Sequence, residues 1–276
     1  MDQHPLGIFD SGIGGLSVLR HVRDQLPHEN LIYLADQAHV PYGPRPLDQV
    51  RAFSEEITRY LMAQGAKLIV VACNTASAAA LKYLRDNFPA MPFVGMEPAV
   101  KPAAETTHNK VVGVLATQAT FQGELFASLV ERFAKDVIVL EQTLPGLVER
   151  IEAGDLHSQA TRTILEEAVL PLLQQGADAL VLGCTHYPFI RPLLDEIVAG
   201  RAEIIDPSPA VARQVGRVLT QQDRMAPREN EGEVLYISSK SSRDLAHSAY
   251  ELTGITGRSQ PAAWVYQPLA LHTQIE

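Results

Sequence analysis

Short apolar runs alternate with amphipathic stretches along the whole chain. The runs at 6–9, 31–34, 68–72, 93–96, 111–115, 137–140, 179–182, 204–205 and 234–237 read as strands. Most are apolar at consecutive rather than alternate positions, the pattern of strands covered on both faces. Between them the period lengthens. Leu16, Leu19, Val22 and Leu26 share a helical face closed by Pro27, and Val50, Phe53, Ile57 and Leu61 share another, with Gly65 placed as its C-cap. Leu125, Leu129 and Phe133 recur every four residues. This alternation predicts an α/β fold with parallel sheets and right-handed crossovers.

The pattern also echoes itself. The ten residues from Gln64 to Cys73 align without gaps on those from Gln175 to Cys184, 111 residues further on. Gly7-Ile8-Phe9-Asp10-Ser11 pairs with Gly113-Val114-Leu115-Ala116-Thr117, and 31–34 with 137–140, both at an offset of 106. A repeat of this length is a duplicated α/β unit rather than a solenoid. The expected architecture is two pseudo-symmetric parallel-sheet α/β domains facing each other across a central cleft. One comprises residues 1–97 plus 208–276 and the other residues 98–207. The tail beyond 206 is expected to carry one strand, at 234–237, with helical segments, and to pack back on the first domain.

Composition narrows the field. Of 276 residues, 46% are hydrophobic, enough for packed cores and too many for a disordered chain. The formal charge of −9 repels phosphate backbones, so no nucleic-acid partner is expected. The start, Met1-Asp2-Gln3-His4-Pro5, carries no basic region followed by an apolar stretch, and the longest apolar runs are too short to span a bilayer. A membrane partner is therefore not expected. Two cysteines make no disulfide framework, which points to the reducing cytoplasm.

Open parallel sheets bind ligands beyond the carboxyl ends of their strands, and polar residues collect there. Asp10-Ser11 follows the first strand, Cys73-Asn74-Thr75 the third, Thr117 the fifth, and Cys184-Thr185-His186 the partner of the third. A single free cysteine is more often a small buried hydrophobe than a reactive group. Two at matched strand ends, each flanked by polar residues, reverse that expectation. A thiol just before a helix has its thiolate favoured by the helix dipole. Two thiols on opposite sides of a small molecule can take a proton from one face of a carbon and return one to the other. Asp10 is the candidate to manage the proton of Cys73, and His186 that of Cys184. Ser11, Asn74, Thr75 and Thr185 supply neutral hydrogen bonds suited to a carboxylate and an ammonium group.

Other features are set aside. His21, His28, His108, His157 and His247 read as exposed or structural. Glu152, just before Gly154, reads as a solvated helix-end carboxylate. Gly12-x-Gly14 with Asp36 imitates a dinucleotide fingerprint, but Ser17 stands at the third glycine position and Asp10 would face the pyrophosphate, so no nucleotide cofactor is expected. The two glycines instead suit a tight turn or a close approach to a small ligand. Cys184-x-His186 offers too few ligands for a metal.

Four blocks carry a resemblance. Phe9-Asp10-Ser11-Gly12-Ile13-Gly14-Gly15-Leu16-Ser17-Val18, Pro41-Tyr42-Gly43-Pro44-Arg45, Ala72-Cys73-Asn74-Thr75-Ala76-Ser77-Ala78 and Gly183-Cys184-Thr185-His186-Tyr187-Pro188 resemble the signatures of the bacterial glutamate racemase family, in the same order over about residues 6–210. The resemblance implies interconversion of L- and D-glutamate without cofactor or metal, supplying D-glutamate for peptidoglycan. It implies that Cys73 and Cys184 are the two acid/bases, assisted by Asp10, Glu152 and His186, which raises Glu152 above its reading as a surface residue. It implies substrate contacts at Asp10, Ser11, Tyr42, Gly43, Asn74, Thr75, Thr117, Thr120, Thr185 and His186. The small-molecule substrate is the expected partner, with a homodimer as the candidate assembly. Pro46 and Phe189-Ile190 depart from the family's usual residues beside these blocks. The nine residues before Asp10 leave out the extension of members activated by a cell-wall precursor, so no such activation is expected. A racemase for aspartate or another amino acid, and a non-catalytic amino-acid-binding protein, are the alternatives.

Overall fold

A computed structural model describes residues 1–266 and 269–274. The chain opens with β1 (Leu6–Asp10), α1 (Leu16–Gln25), β2 (Leu31–Ala35), α2 (Leu47–Ala63), β3 (Leu68–Val71), α3 (Asn74–Asn87) and β4 (Phe93–Gly95). It continues with α4 (Val100–Thr106), β5 (Val111–Ala116), α5 (Gln118–Gln122), α6 (Glu124–Phe133), β6 (Ile138–Gln142), α7 (Leu147–Glu152), α8 (Gln159–Gln174) and β7 (Ala179–Gly183). A 3-10 turn at Tyr187–Ile190 leads into α9 (Arg191–Val198), β8 (Glu203–Ile205) and α10 (Ser208–Gln221). The last elements are β9 (Val234–Ser238), α11 (Ser242–Thr253), β10 (Arg258–Tyr266) and β11 (Leu269–Thr273).

The strands form two sheets, each wrapped by helices into an α/β domain. The first sheet has the order β11-β10-β9-β2-β1-β3-β4 and the second β6-β5-β7-β8. The segment β2-β1-β3-β4 recurs as β6-β5-β7-β8, all parallel, so the internal echo is a repeated topology. In this register Cys73 and Cys184 follow equivalent strands, at the carboxyl end of each sheet.

The helix faces read from the sequence pack as expected. Leu16, Leu19 and Val22 are fully buried, as are Val50, Ile57 and Leu61. Gly65 takes a left-handed φ of 81° just past the last turn of α2, where a side chain would be strained. The strand run expected at 137–140 begins one residue later, and it is not covered on both faces: Ile138 is 60% exposed, because β6 is the outer strand of its sheet.

The tail departs further from expectation. Among the described residues it carries three strands, not one. β9 pairs parallel with β2, β10 pairs parallel with β9, and β11 folds back antiparallel on β10. β10 reads weakly because it alternates, with Ala262 and Trp264 buried and the flanking Val265 and Tyr266 exposed, and because Pro261 interrupts it. Proline is tolerated there because it stands at the end of the β10–β11 ladder, where its carbonyl accepts from the Gln274 amide at 3.0 Å and the regular pairs begin at Ala262. A buried ion pair fastens the same tail: Lys67 Nζ lies 2.7 Å from Glu29 and donates to the Arg224 carbonyl, while Glu29 accepts from the Ala226 amide.

Candidate active site

Cys73 is the N-cap of α3, its sulfur accepting from the Ala76 amide at 3.4 Å. The helix that follows is rich in alanine, so its first turn sits close on the sheet with Asn74, Thr75 and Ala76 all buried. Behind the sulfur is Asp10, at the end of β1 and wholly buried. One Asp10 oxygen accepts from the Gly12 amide at 2.8 Å and the other from the Thr185 hydroxyl at 2.9 Å, a bond that crosses from one domain to the other.

The glycine turn after β1 is the seam between the domains. The Ile13 amide donates to Glu152 at 2.8 Å, and the Ser17 hydroxyl donates to the Thr185 carbonyl at 3.0 Å. A Cβ at Gly14 would lie 2.6 Å from the Thr185 hydroxyl oxygen, and one at Gly12 would fall 2.6 Å from the Glu152 carboxyl carbon. The glycines form the tight turn before α1, with the Leu16 amide donating to the Ile13 carbonyl at 3.0 Å, and they also admit the opposite domain's side chains, a use the sequence did not suggest.

On the second wall Cys184 Sγ lies 3.7 Å from His186 Nδ1, and His186 Nε2 lies 2.6 Å from Glu152. The Glu152 side chain is only 13% exposed, so the solvated helix-end reading is corrected: the end of α7 is turned inward against the glycine turn. No spacing rule brings Glu152 to His186, because the two are joined through the fold rather than along one element.

Burial and charge set the protonation of these groups. Burial alone would depress the His186 imidazole, but its hydrogen bonds to Cys184 and Glu152 outweigh that and raise it well above the ordinary histidine range. Burial works to raise Glu152, and the hydrogen bond from His186 wins, leaving it below the usual carboxylate range. On the other wall burial pushes the Cys73 thiol up, and the neighbouring Asp10 charge pushes it further. Burial likewise raises Asp10, against the pull of His186.

Both sulfurs line one cavity of about 220 Å³ between the domains. With them stand Ser11, Tyr42, Gly43, Asn74, Thr75, Thr117, Thr185 and His186. Asp10, Thr120 and Glu152 are not at its surface: Asp10 and Glu152 lie behind the groups they bond, and Thr120 hydrogen-bonds Thr117 at 2.9 Å. Across the rim the Thr75 and Thr117 hydroxyls meet at 2.8 Å, and the Ala119 amide donates to the Gly43 carbonyl. The Asn74 side-chain amide is buried with neither its nitrogen nor its oxygen hydrogen-bonded to another described residue. A buried amide in that state is costly unless a ligand completes it.

The profile of the family described as Asp/Glu/Hydantoin racemase matches residues 16–215. The chain belongs to that family. It is thereby a racemase, an isomerase acting on a stereocentre. It is 55% identical over 222 residues to a glutamate racemase of Pseudomonas paraeruginosa, covering 80% of this chain and 84% of that one. The structure of glutamate racemase from Francisella tularensis in complex with D-glutamate is similar at a TM-score of 0.82, with 26% identity over 94% of this chain and 97% of that one. Escherichia coli glutamate racemase in complex with L-glutamate and the activator UDP-MurNAc-Ala gives 0.81, with 29% identity over 97% and 99%.

One side of the racemase cavity escaped the sequence reading. The loop 143–146 and the first turn of α7, with Val148 and Glu149, close it from the second domain. Gly146, at φ 81°, turns the chain into α7 there. Gly146 after Pro145 was the available signal, but many surface turns carry the same pair.

Proposed function

We propose that this chain interconverts L- and D-glutamate by proton transfer between two cysteines, in the cytoplasm, with D-glutamate supplied for peptidoglycan. The observation that carries the reading is the pair of sulfurs at equivalent strand ends of two domains, lining one cavity with the polar groups an amino acid needs. The relatives named as glutamate racemases favour glutamate over other amino acids. The domains 1–97 plus 208–276 and 98–207 supply one wall each.

The hydrogen on the α-carbon of an amino acid is a very weak acid, so the residues must position it and stabilise the charge left behind. In the L-to-D direction Cys184, as thiolate, removes the α-proton. His186, held by Glu152, donates to its sulfur and balances the negative charge. Cys73 keeps its proton at rest, because burial and Asp10 disfavour its thiolate, and it delivers that proton to the opposite face. The reverse direction starts from the exchanged protonation states. Ser11, Asn74, Thr75, Thr117 and Thr185 hold the ammonium and carboxylates, and enclosure between the domains keeps water from quenching the carbanion.

Polarimetry of L-glutamate and L-aspartate side by side tests the reading. Loss of optical rotation for glutamate, absent in Cys73→Ala and Cys184→Ala, is the expected result. Racemisation of aspartate alone, or activity retained in either variant, contradicts it.

A further inference from the structure

One buried carboxylate takes no part in the proton transfer. Asp36 follows β2, is wholly buried, and fills its acceptor positions with four side chains. Tyr42 Oη donates at 2.6 Å and His39 Nδ1 lies at 2.8 Å, both at Oδ2. At Oδ1, Trp264 Nε1 donates at 2.7 Å and the Ser239 hydroxyl at 2.8 Å. His39 stacks on Phe53 with ring centres 3.9 Å apart, faces the edge of Trp264, and has Nε2 3.1 Å from the Tyr266 hydroxyl. Its carbonyl accepts from Arg45 at 2.6 Å.

The network joins two distant parts of the chain. Asp36, His39, Tyr42 and Arg45 belong to the loop between β2 and α2, whose Tyr42 and Gly43 form part of the cavity wall. Trp264 and Tyr266 belong to β10, the strand the sequence did not reveal. Neither touches the cavity. Nε1–H of Trp264 is one of two donors on Asp36 Oδ1, and the other Asp36 oxygen holds the Tyr42 hydroxyl. A shift of the carboxylate therefore moves Tyr42. Hydrogen bonds to a buried carboxylate are charge-assisted, and losing one leaves an acceptor short of a partner.

We propose that Trp264, seconded by Tyr266, is a positioning residue of the racemase: through Asp36 and His39 it fixes the loop that presents Tyr42 and Gly43 to the substrate. The inference rests on the reading of the cavity as a glutamate site. Loosening this loop weakens binding in ground and transition states alike, so KM rises while kcat changes little.

The test is steady-state kinetics in both directions on Trp264→Phe, which removes the N–H and keeps one of the two rings, and on Tyr266→Phe. Val265→Ala, an exposed neighbour on the same strand, is the control. The expected result is a KM raised roughly fivefold for both enantiomers in Trp264→Phe and about twofold in Tyr266→Phe, from the loss of one hydrogen bond each, with kcat within about twofold. The thermal midpoint of Trp264→Phe should fall by a few degrees, from the lost bond to buried Asp36 and the lost indole volume, and Val265→Ala should be indistinguishable from the parent. An unchanged KM overturns the proposal, whether or not the midpoint falls, because the strand then only stabilises the domain. Should Trp264→Phe fail to fold, Tyr266→Phe decides by the same criteria. A parent protein that does not racemise glutamate defeats the underlying reading instead.

Discussion

The Cys73 and Cys184 walls occupy the same place in two copies of one strand order, yet their surroundings differ. Beside Cys73 the ionisable neighbour is a buried carboxylate, and burial and that charge both favour the thiol. Beside Cys184 stands an imidazole braced by a second carboxylate and raised well above the ordinary histidine range, a partner for negative charge on sulfur. Duplication places two equivalent atoms around one cavity. Divergence of their neighbours sets a carboxylate beside one sulfur and an imidazole beside the other, an asymmetry suited to the proposed two-base reaction, which needs one acid and one base at any moment.

The comparison breaks first at the sulfurs. Cys73→Ala and Cys184→Ala should each lower kcat/KM by more than about a thousandfold, the upper range for a lost general acid or base, as followed by circular dichroism. Residual activity tens of per cent of the parent in either variant would mean that one wall suffices.

Next comes the brace on one wall only. His186→Asn should lower kcat/KM roughly a hundredfold. Enantiomers have equal energy, so the loss must be equal in both directions. The asymmetry should appear in the primary isotope effect on α-deuterated substrate: larger from L-glutamate, where Cys184 is the proposed base, and smaller from D-glutamate. Equal changes in both would assign His186 to the substrate rather than to Cys184.

The smallest effect concerns stability. His186 is raised on folding, so its contribution is complete below its ordinary value of 6.5 and is lost as pH climbs through the raised value. Glu152 is lowered, so its contribution is complete above its ordinary 4.5 and is lost as pH falls through the depressed value. The difference in thermal midpoint between the parent and His186→Asn should therefore be greatest between about pH 4.5 and 6.5 and shrink on either side. A difference that grows steadily toward alkaline pH would contradict the assigned protonation.

What was legible follows from how each feature is encoded. Consecutive apolar runs mark β1, β3, β5 and β7 because both faces of those strands are buried, and the residues just past them are local in sequence. That locality exposed Asp10, Cys73, Cys184 and His186. Glu152 was hidden because its burial depends on Gly12, far away along the chain, leaving room for its carboxylate. β10 was hidden because its outer face is exposed and a proline interrupts it. Long-range contacts that depend on the absence of a side chain, or on one donor such as Trp264 Nε1, leave no periodic trace.

The central claim is that hydrogen leaves the α-carbon to one sulfur and arrives from the other. The most direct measurement is racemisation of unlabelled L-glutamate in D₂O, with both enantiomers analysed by mass spectrometry at early conversion. The account predicts D-glutamate carrying deuterium at the α-carbon while the remaining L-glutamate keeps its protium. D-glutamate that retains the original hydrogen, or L-glutamate that gains deuterium as fast as product forms, would mean one base serving both faces.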